Sequence, residues 1–232
     1  MARRLSRGAK RGPATATPLG TAIELTVGIT ALALSALAGL AFIHRPWPNR
    51  LDGWGYHALP ADLGARWAKD FATLGSLTAL IVGVIAVFLI AVLRDWVRAV
   101  ACATAPIIAV LIVQHLAKPL VDRHIGLAGA SSYPSGTVTA VAALATALTL
   151  AMPRVTRPFV ALVGVATTVM VGAAVIVLRW HYPTDALGGI GVGVGAVLIV
   201  DAVFHAPWAI AAAFRSPGKQ RAVEPQGKPR FA

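Results

Sequence analysis

The chain holds one cysteine, Cys102, so no intrachain disulfide can form. That residue sits inside an apolar run and says nothing of the redox compartment. Acidic residues are scarce as well: nine Asp and Glu stand against 21 Lys and Arg in 232 residues, and charged residues make up only 13% of the chain. A soluble domain carries about 25%, which excludes an ordinary soluble fold. The formal net charge of +12 does not point to nucleic acid, because nucleic-acid binders mount their basic residues on a soluble scaffold. Here many of them flank long apolar stretches, and no nucleic-acid partner is expected. Strict period-two alternation is missing, which argues against a membrane β-barrel. No His, Cys and carboxylate spacing suggests zinc, and neither a metal nor another cofactor is expected.

What the chain has is hydrophobicity: 57% of its residues are apolar and its mean hydropathy is +0.72. A bilayer core about 30 Å thick needs roughly 20 apolar residues in a helix. Six stretches approach that length, over 25–43, 74–93, 99–116, 136–152, 159–178 and 186–204, the fourth being short. The expectation is an all-α, six-transmembrane-helix bundle, because in lipid each backbone amide must be paired within its own helix. An even number of spans puts both tails on one side, together with the loops at 94–98 and 153–158. That side holds 14 of the 21 Lys and Arg residues and the other holds seven. The positive-inside rule then makes both termini cytoplasmic in a multi-pass cell-membrane protein. The first apolar run is too long for a typical signal peptide, has no clear cleavage site after it, and reads as a retained helix.

The expected organisation is a basic disordered tail over 1–20, a helical membrane domain over 21–214 and a second basic tail over 215–232. The tails serve as a topology signal and can lie against anionic headgroups. Between the first two spans, residues 44–72 carry Trp47, Trp54, Tyr56 and Trp67, residue types that settle at the lipid–water boundary. A short interfacial helix is expected over 60–71. The glycines at 188, 189, 191, 193 and 195 lie within the last span and suit close helix packing rather than dinucleotide binding. Asp201 and His205, spaced i, i+4 near the end of that span, are a functional or a buried structural pair.

Alternation of the spans brings three polar clusters to one face. They are Lys118-Pro-Leu-Val-Asp-Arg123-His124, then Ser131-Ser-Tyr-Pro134-Ser135-Gly136-Thr137, then Arg179-Trp-His181-Tyr-Pro183-Thr184-Asp185. Together they supply cations, a hydroxyl, a helix start, and a histidine with a nearby carboxylate. That set suits a phosphate. Lys118, Arg123 and Arg179 can clamp its oxygens. Pro134-Ser135-Gly136 opens a helix whose first N–H groups form an anion site. Asp185, in the first turn of the next helix, is close enough to bond one imidazole nitrogen of His181, leaving the other as nucleophile or base.

These clusters resemble the type 2 phosphatidic acid phosphatase superfamily, which includes lipid phosphate phosphatases, prenyl-diphosphate phosphatases and vanadium haloperoxidases. Its pattern is Lys-x6-Arg-Pro, then Pro-Ser-Gly-His, then Ser-Arg-x5-His-x3-Asp. Lys118 matches the first lysine, Pro134, Ser135 and Gly136 match the second motif, and His181 and Asp185 match the end of the third. Motif order, spacing and the six-helix layout agree as well. The resemblance implies a metal-independent hydrolase of lipid phosphates in which His181 becomes a phosphohistidine and Asp185 orients it. Lys118, Ser135 and the Gly136 backbone would hold the phosphoryl oxygens. Three departures stand out: Ile125-Gly126 replaces Arg-Pro, Thr137 replaces the second motif's histidine, and Ala174-Val175 replaces Ser-Arg. Arg123 and Arg179 are candidate replacements for the missing arginines. Arg179 would serve if its helix continues one turn past Val175, and His124 and Thr137 are the candidate proton donors. The expected function is hydrolysis of a prenyl diphosphate or phospholipid phosphate at the extracytoplasmic face. The alternative is a catalytically impaired pseudo-phosphatase that binds a lipid phosphate or a partner protein. Oligomeric state stays open.

Overall fold

The computed structural model describes residues 17–43, 47–61, 64–125 and 131–215. The expected tails over 1–16 and 216–232 lie outside the described residues. The chain forms α1 (Pro18–Ile43), α2 (Arg50–Ala58), α3 (Ala65–Thr73), α4 (Leu77–Val92) and α5 (Trp96–Ile112). A π-helical turn, Val113–Ala117, leads into α6 (Lys118–Val121), followed by α7 (Gly136–Ala151), α8 (Arg157–Val177) and α9 (Pro183–Arg215). All the described elements are helical, and each of the six apolar stretches coincides with a helix.

Four helical segments are long and apolar enough to cross a membrane: Pro18–Ile43, Trp96–Val121, Arg157–Val177 and Pro183–Phe214. A fifth arises if Arg66–Thr73 and Leu77–Val92, bent by 47°, act as one broken span. The helix Gly136–Ala151 has 16 residues. At 1.5 Å per residue it reaches about 24 Å, short of a bilayer core. The protein is therefore a multi-pass helical membrane protein with four or five spans by length among the described residues.

Local signals set the helix ends. The Thr17 hydroxyl accepts from Gly20 N–H at 3.1 Å and Pro18 occupies the first helical position, as proline favours. Helix α1 thus starts at Pro18. Ser76, Asp95 and Ser135 accept first-turn N–H bonds of α4, α5 and α7 in the same way. The helix expected over 60–71 is α3, which starts five residues later. Gly64 precedes it with φ of 120°, a conformation that ends the preceding chain and that only glycine adopts readily. Helix α2 is not expected from the sequence. It is fixed by a capping box in which Asn49 and Asp52 exchange side-chain and backbone bonds.

The packing inverts a soluble protein. Leu34, Ile81, Leu89, Leu162 and Val165 point outward, while Ala99, Ala105, Ala143, Val197 and similar small residues fill the interior. Lipid tails are as apolar as leucine, so small residues gain by letting backbones approach. Helix α9 lies centrally, against α1, α7 and α5. It runs antiparallel to α1: a Cβ on Gly28 would stand 2.9 Å from Ile199 Cγ1, and one on Gly191 would stand 2.6 Å from Ser35 Oγ. This places the starts of α7 and α9 and the ends of α1 and α8 at one end of the bundle.

Candidate active site

His181 follows α8 and Asp185 opens α9. The imidazole Nδ1 lies 2.9 Å from the Ser132 carbonyl oxygen. A carbonyl only accepts, so Nδ1 carries the proton, and in the neutral ring Nε2 keeps the lone pair. The nearest Asp185 carboxylate oxygen is 3.8 Å from Nδ1, too far for the hydrogen bond expected from sequence. Asp185 is occupied elsewhere: Oδ2 accepts from Tyr182 N–H at 2.9 Å and Oδ1 from Arg123 at 2.6 Å. The backbone of Ser132 orients the ring, and Asp185 contributes a negative charge behind it.

The structure gives Arg123 a different task from the expected one. Its side chain is fully buried and ion-paired to both Asp52 and Asp185, with Thr184 Oγ1 accepting at 2.7 Å. Its guanidinium lies 3.9 Å from the Phe42 ring centre and 4.3 Å from that of Tyr182. Those bonds make Arg123 a brace between α2 and the start of α9. Two carboxylates taken out of water need such a cation. Asp52 also accepts from the Thr184 N–H and hydroxyl, which ties α2 to the first turn of α9.

Arg179 differs as well. Helix α8 ends at Val177 and Arg179 adopts φ of 60°, so the helix does not continue and Arg179 does not share a face with Val175 one turn on. Both Trp180 N–H and His181 N–H instead return to the Val175 carbonyl. The Arg179 guanidinium lies 4.1 Å above the Tyr56 ring, and Nη2 donates to the Tyr56 carbonyl at 3.3 Å. Tyr56 stacks on Tyr182 at 5.3 Å. Burial, then Tyr182, push the Tyr56 phenol up to about 12, with Arg179 pulling it down. Burial likewise raises the Tyr182 and Tyr133 phenols.

Ser135 caps α7 and is fully buried; its own N–H donates to the Asp185 carbonyl at 3.0 Å. The starts of α7 and α9 are thereby pinned together beside His181. A Cβ on Gly136 would stand 2.9 Å from Gln114 Nε2, so the lack of a side chain lets that amide sit over the α7 N-terminus. Lys118, carried past the π-helical turn, lies within electrostatic range of Asp185. Thr137 turns toward the α3–α4 corner, where a Cβ on Gly75 would meet its Cγ2 at 2.4 Å. His124 pairs with Asp122 at 2.9 Å through Nε2. Gly126, half of the expected first-motif dipeptide, lies outside the described residues.

Four buried side-chain atoms lack a hydrogen-bond partner among the described residues: His124 Nδ1, Ser131 Oγ, Ser132 Oγ and Arg179 Nη1. All four belong to the three clusters around His181. Buried polar groups are normally paired, so these atoms are open to a polar partner. Asp52, Gln114 and Tyr56 are not read as site residues from the sequence, and Ser132 lies in the second cluster without a role assigned. The Asn49-x-x-Asp52 capping pattern is the signal that could have found α2 and Asp52. Among the described residues no group of three His, Cys, Asp or Glu could hold a metal ion. No family model, curated protein or solved structure matches the chain.

Proposed function

We propose that the protein is a divergent member of the type 2 phosphatidic acid phosphatase superfamily and hydrolyses a lipid phosphate through a phosphohistidine on His181. The observation that carries this reading is the orientation of the imidazole. Nδ1–H is fixed on a backbone carbonyl, which leaves Nε2 with the lone pair to attack. Nε2 would attack phosphorus as the bond to the leaving oxygen breaks. Water would then cleave the N–P bond, returning the imidazole and releasing inorganic phosphate. Lys118, Arg179 Nη1, the Gln114 amide and the first N–H groups of α7 supply positive potential for the phosphoryl oxygens. Asp185 offsets the charge that the ring gains. A groove of about 540 Å³ runs from Tyr133 and Thr184 along α1 and α9 to Ala31, which gives an acyl or prenyl tail room beside the headgroup.

This reading takes α7 as a sixth span that borrows length from its flanks, with both termini cytoplasmic and His181 at the extracytoplasmic surface of the cell membrane. It expects no metal. Purified full-length protein should release phosphate from a panel of prenyl diphosphates and phospholipid phosphates with a chelator present, and His181→Ala should release none. No release by the parent across the panel would favour the second reading, a pseudo-phosphatase that only binds a lipid phosphate. One observation favours that alternative: Arg123 spends its guanidinium on Asp52 and Asp185 instead of on a ligand.

A further inference from the structure

Helix α9 carries a second polar cluster at Asp201, 16 residues beyond Asp185 and so about 24 Å away along the helix. There Arg98 from α5 makes a two-point pair with Asp201, at 2.9 and 3.2 Å. His205 Nδ1 lies 2.8 Å from the Asp201 carbonyl oxygen, and its Nε2 lies 3.5 Å from Asp95. Beside this group is a polar pocket of about 150 Å³, lined by Arg98, Arg154, Arg157, His205 and Glu24, with Thr17, Gly20 and Thr21 of the first turn of α1.

Arginines at a helix end often only reach out to water. Two of these turn inward instead. Arg98 is 6% exposed, and Arg157 donates to the Leu150 and Met152 carbonyls at 2.7 and 3.0 Å, closing the last turn of α7. Arg157 Nη1 makes no hydrogen bond among the described residues. Arg154, which projects beside it, donates no hydrogen bond among the described residues. Arg98 and Arg154 both lie close enough to repel Arg157. The charge count is plain. Asp201 pairs with Arg98, and Glu24 lies beside Asp201 and within electrostatic range of Arg157. In the adjoining hollow Arg94 and Asp95, which share the same three arginines, cancel. Among the described residues the arginines exceed the carboxylates by one, and the N-terminus of α1 adds about half a positive charge.

We propose that this pocket, at the end of the bundle away from His181, is a second anion site that takes a phosphate group. Guanidinium groups match phosphate oxygens in pairs, and basic pockets between membrane helices suit lipid headgroups. A headgroup phosphodiester and free phosphate offer the same chemistry. Two arms separate them, both with the full chain in nanodiscs. In phosphatidylcholine discs containing phosphatidylglycerol, native mass spectrometry counts the phosphatidylglycerol retained. In phosphatidylcholine alone, calorimetry measures binding of inorganic phosphate. Retention or binding that falls about tenfold in Arg154→Gln, a loss typical of one charge-assisted bond, supports the site, and the responding arm identifies the source. Glu24→Gln removes the carboxylate that opposes the anion and should strengthen binding several-fold. Binding in neither arm overturns the proposal, as does unchanged or weaker binding in Glu24→Gln. So does binding that survives Arg154→Gln but disappears in Lys118→Gln, since it then belongs to the other end.

Discussion

His181 and Ser132 are joined by a 2.9 Å bond from the ring Nδ1–H to a backbone carbonyl. The element that orients the proposed nucleophile is therefore main chain, supplied by the segment that leads into α7. A side-chain change at Ser132 leaves that carbonyl in place. Ser132→Ala should keep turnover within a few-fold of the parent, and steady-state kinetics on a prenyl diphosphate would check it.

Arg123 sits between two fully buried carboxylates. Removing one partner of such a group costs about 3–5 kcal/mol. Arg123→Met should lower the unfolding temperature steeply, whereas His181→Ala should leave it near the parent value. Thermal unfolding of both variants in one detergent compares them. Equal melting points would mean that Arg123 is no brace.

Arg179 predicts the opposite split. Its Nη1 is buried without a partner, and loss of one charge-assisted bond to a phosphoryl group costs about 1.5–3 kcal/mol. Arg179→Gly should reduce kcat/KM by roughly 10- to 150-fold. Stability should change little. The lost contact with Tyr56, worth about 0.5–2 kcal/mol, is partly offset because glycine accepts φ of 60° without the roughly 1–2 kcal/mol cost of other residues.

Much of the fold was legible in the sequence because it rests on local rules. Each apolar stretch became a helix, and Pro134-Ser135-Gly136 marked the start of α7, whereas the caps at Thr17, Ser76 and Asp95 were not read as helix starts. The site was legible only in outline. His181, Asp185, Ser135 and Lys118 were brought to one end by the alternation of the spans, but the partners of each cation were not predictable. Arg123 is committed to Asp52, 71 residues away in sequence, through a helix that the boundary aromatics concealed. The left-handed turn at Arg179 likewise depends on how α8 meets α2, which no periodicity records.

In the proposed reading Thr137 takes the place of a proton-donating histidine, and its Cγ2 packs against the α3–α4 corner. A phosphate monoester leaves as an alkoxide, whose conjugate acid has a pKa near that of water, about 15.7. A diphosphate expels a phosphate whose second pKa is about 6. General acid catalysis is worth roughly 10²–10⁴-fold, so a prenyl diphosphate should be turned over well ahead of the matched monophosphate. Equal kcat/KM values for the two would contradict this. The same corner predicts that Gly75→Ala, whose Cβ would lie 2.6 Å from the Thr137 carbonyl oxygen, destabilises by about 1–3 kcal/mol through overpacking.

Tyr56 gives the alkaline limb of stability. Its phenol is pushed up to about 12 from the ordinary value of 10.0. Between those values the unfolded chain has lost this proton and the folded chain has kept it. Stability is thus full below pH 10 and falls as pH rises toward 12. Melting temperatures across that window should decline less steeply in Tyr56→Phe than in the parent.

The central claim is a covalent phosphoryl group on His181. Acid and alkaline quenching of full-length protein mixed with a prenyl diphosphate radiolabelled at its terminal phosphorus tests it directly. The expected result is label on the chain that survives alkali and is lost in acid, as an N–P bond requires, and that is absent from His181→Ala. An acid-stable label, label that persists in His181→Ala, or phosphate release with no chain-bound label during turnover would contradict it.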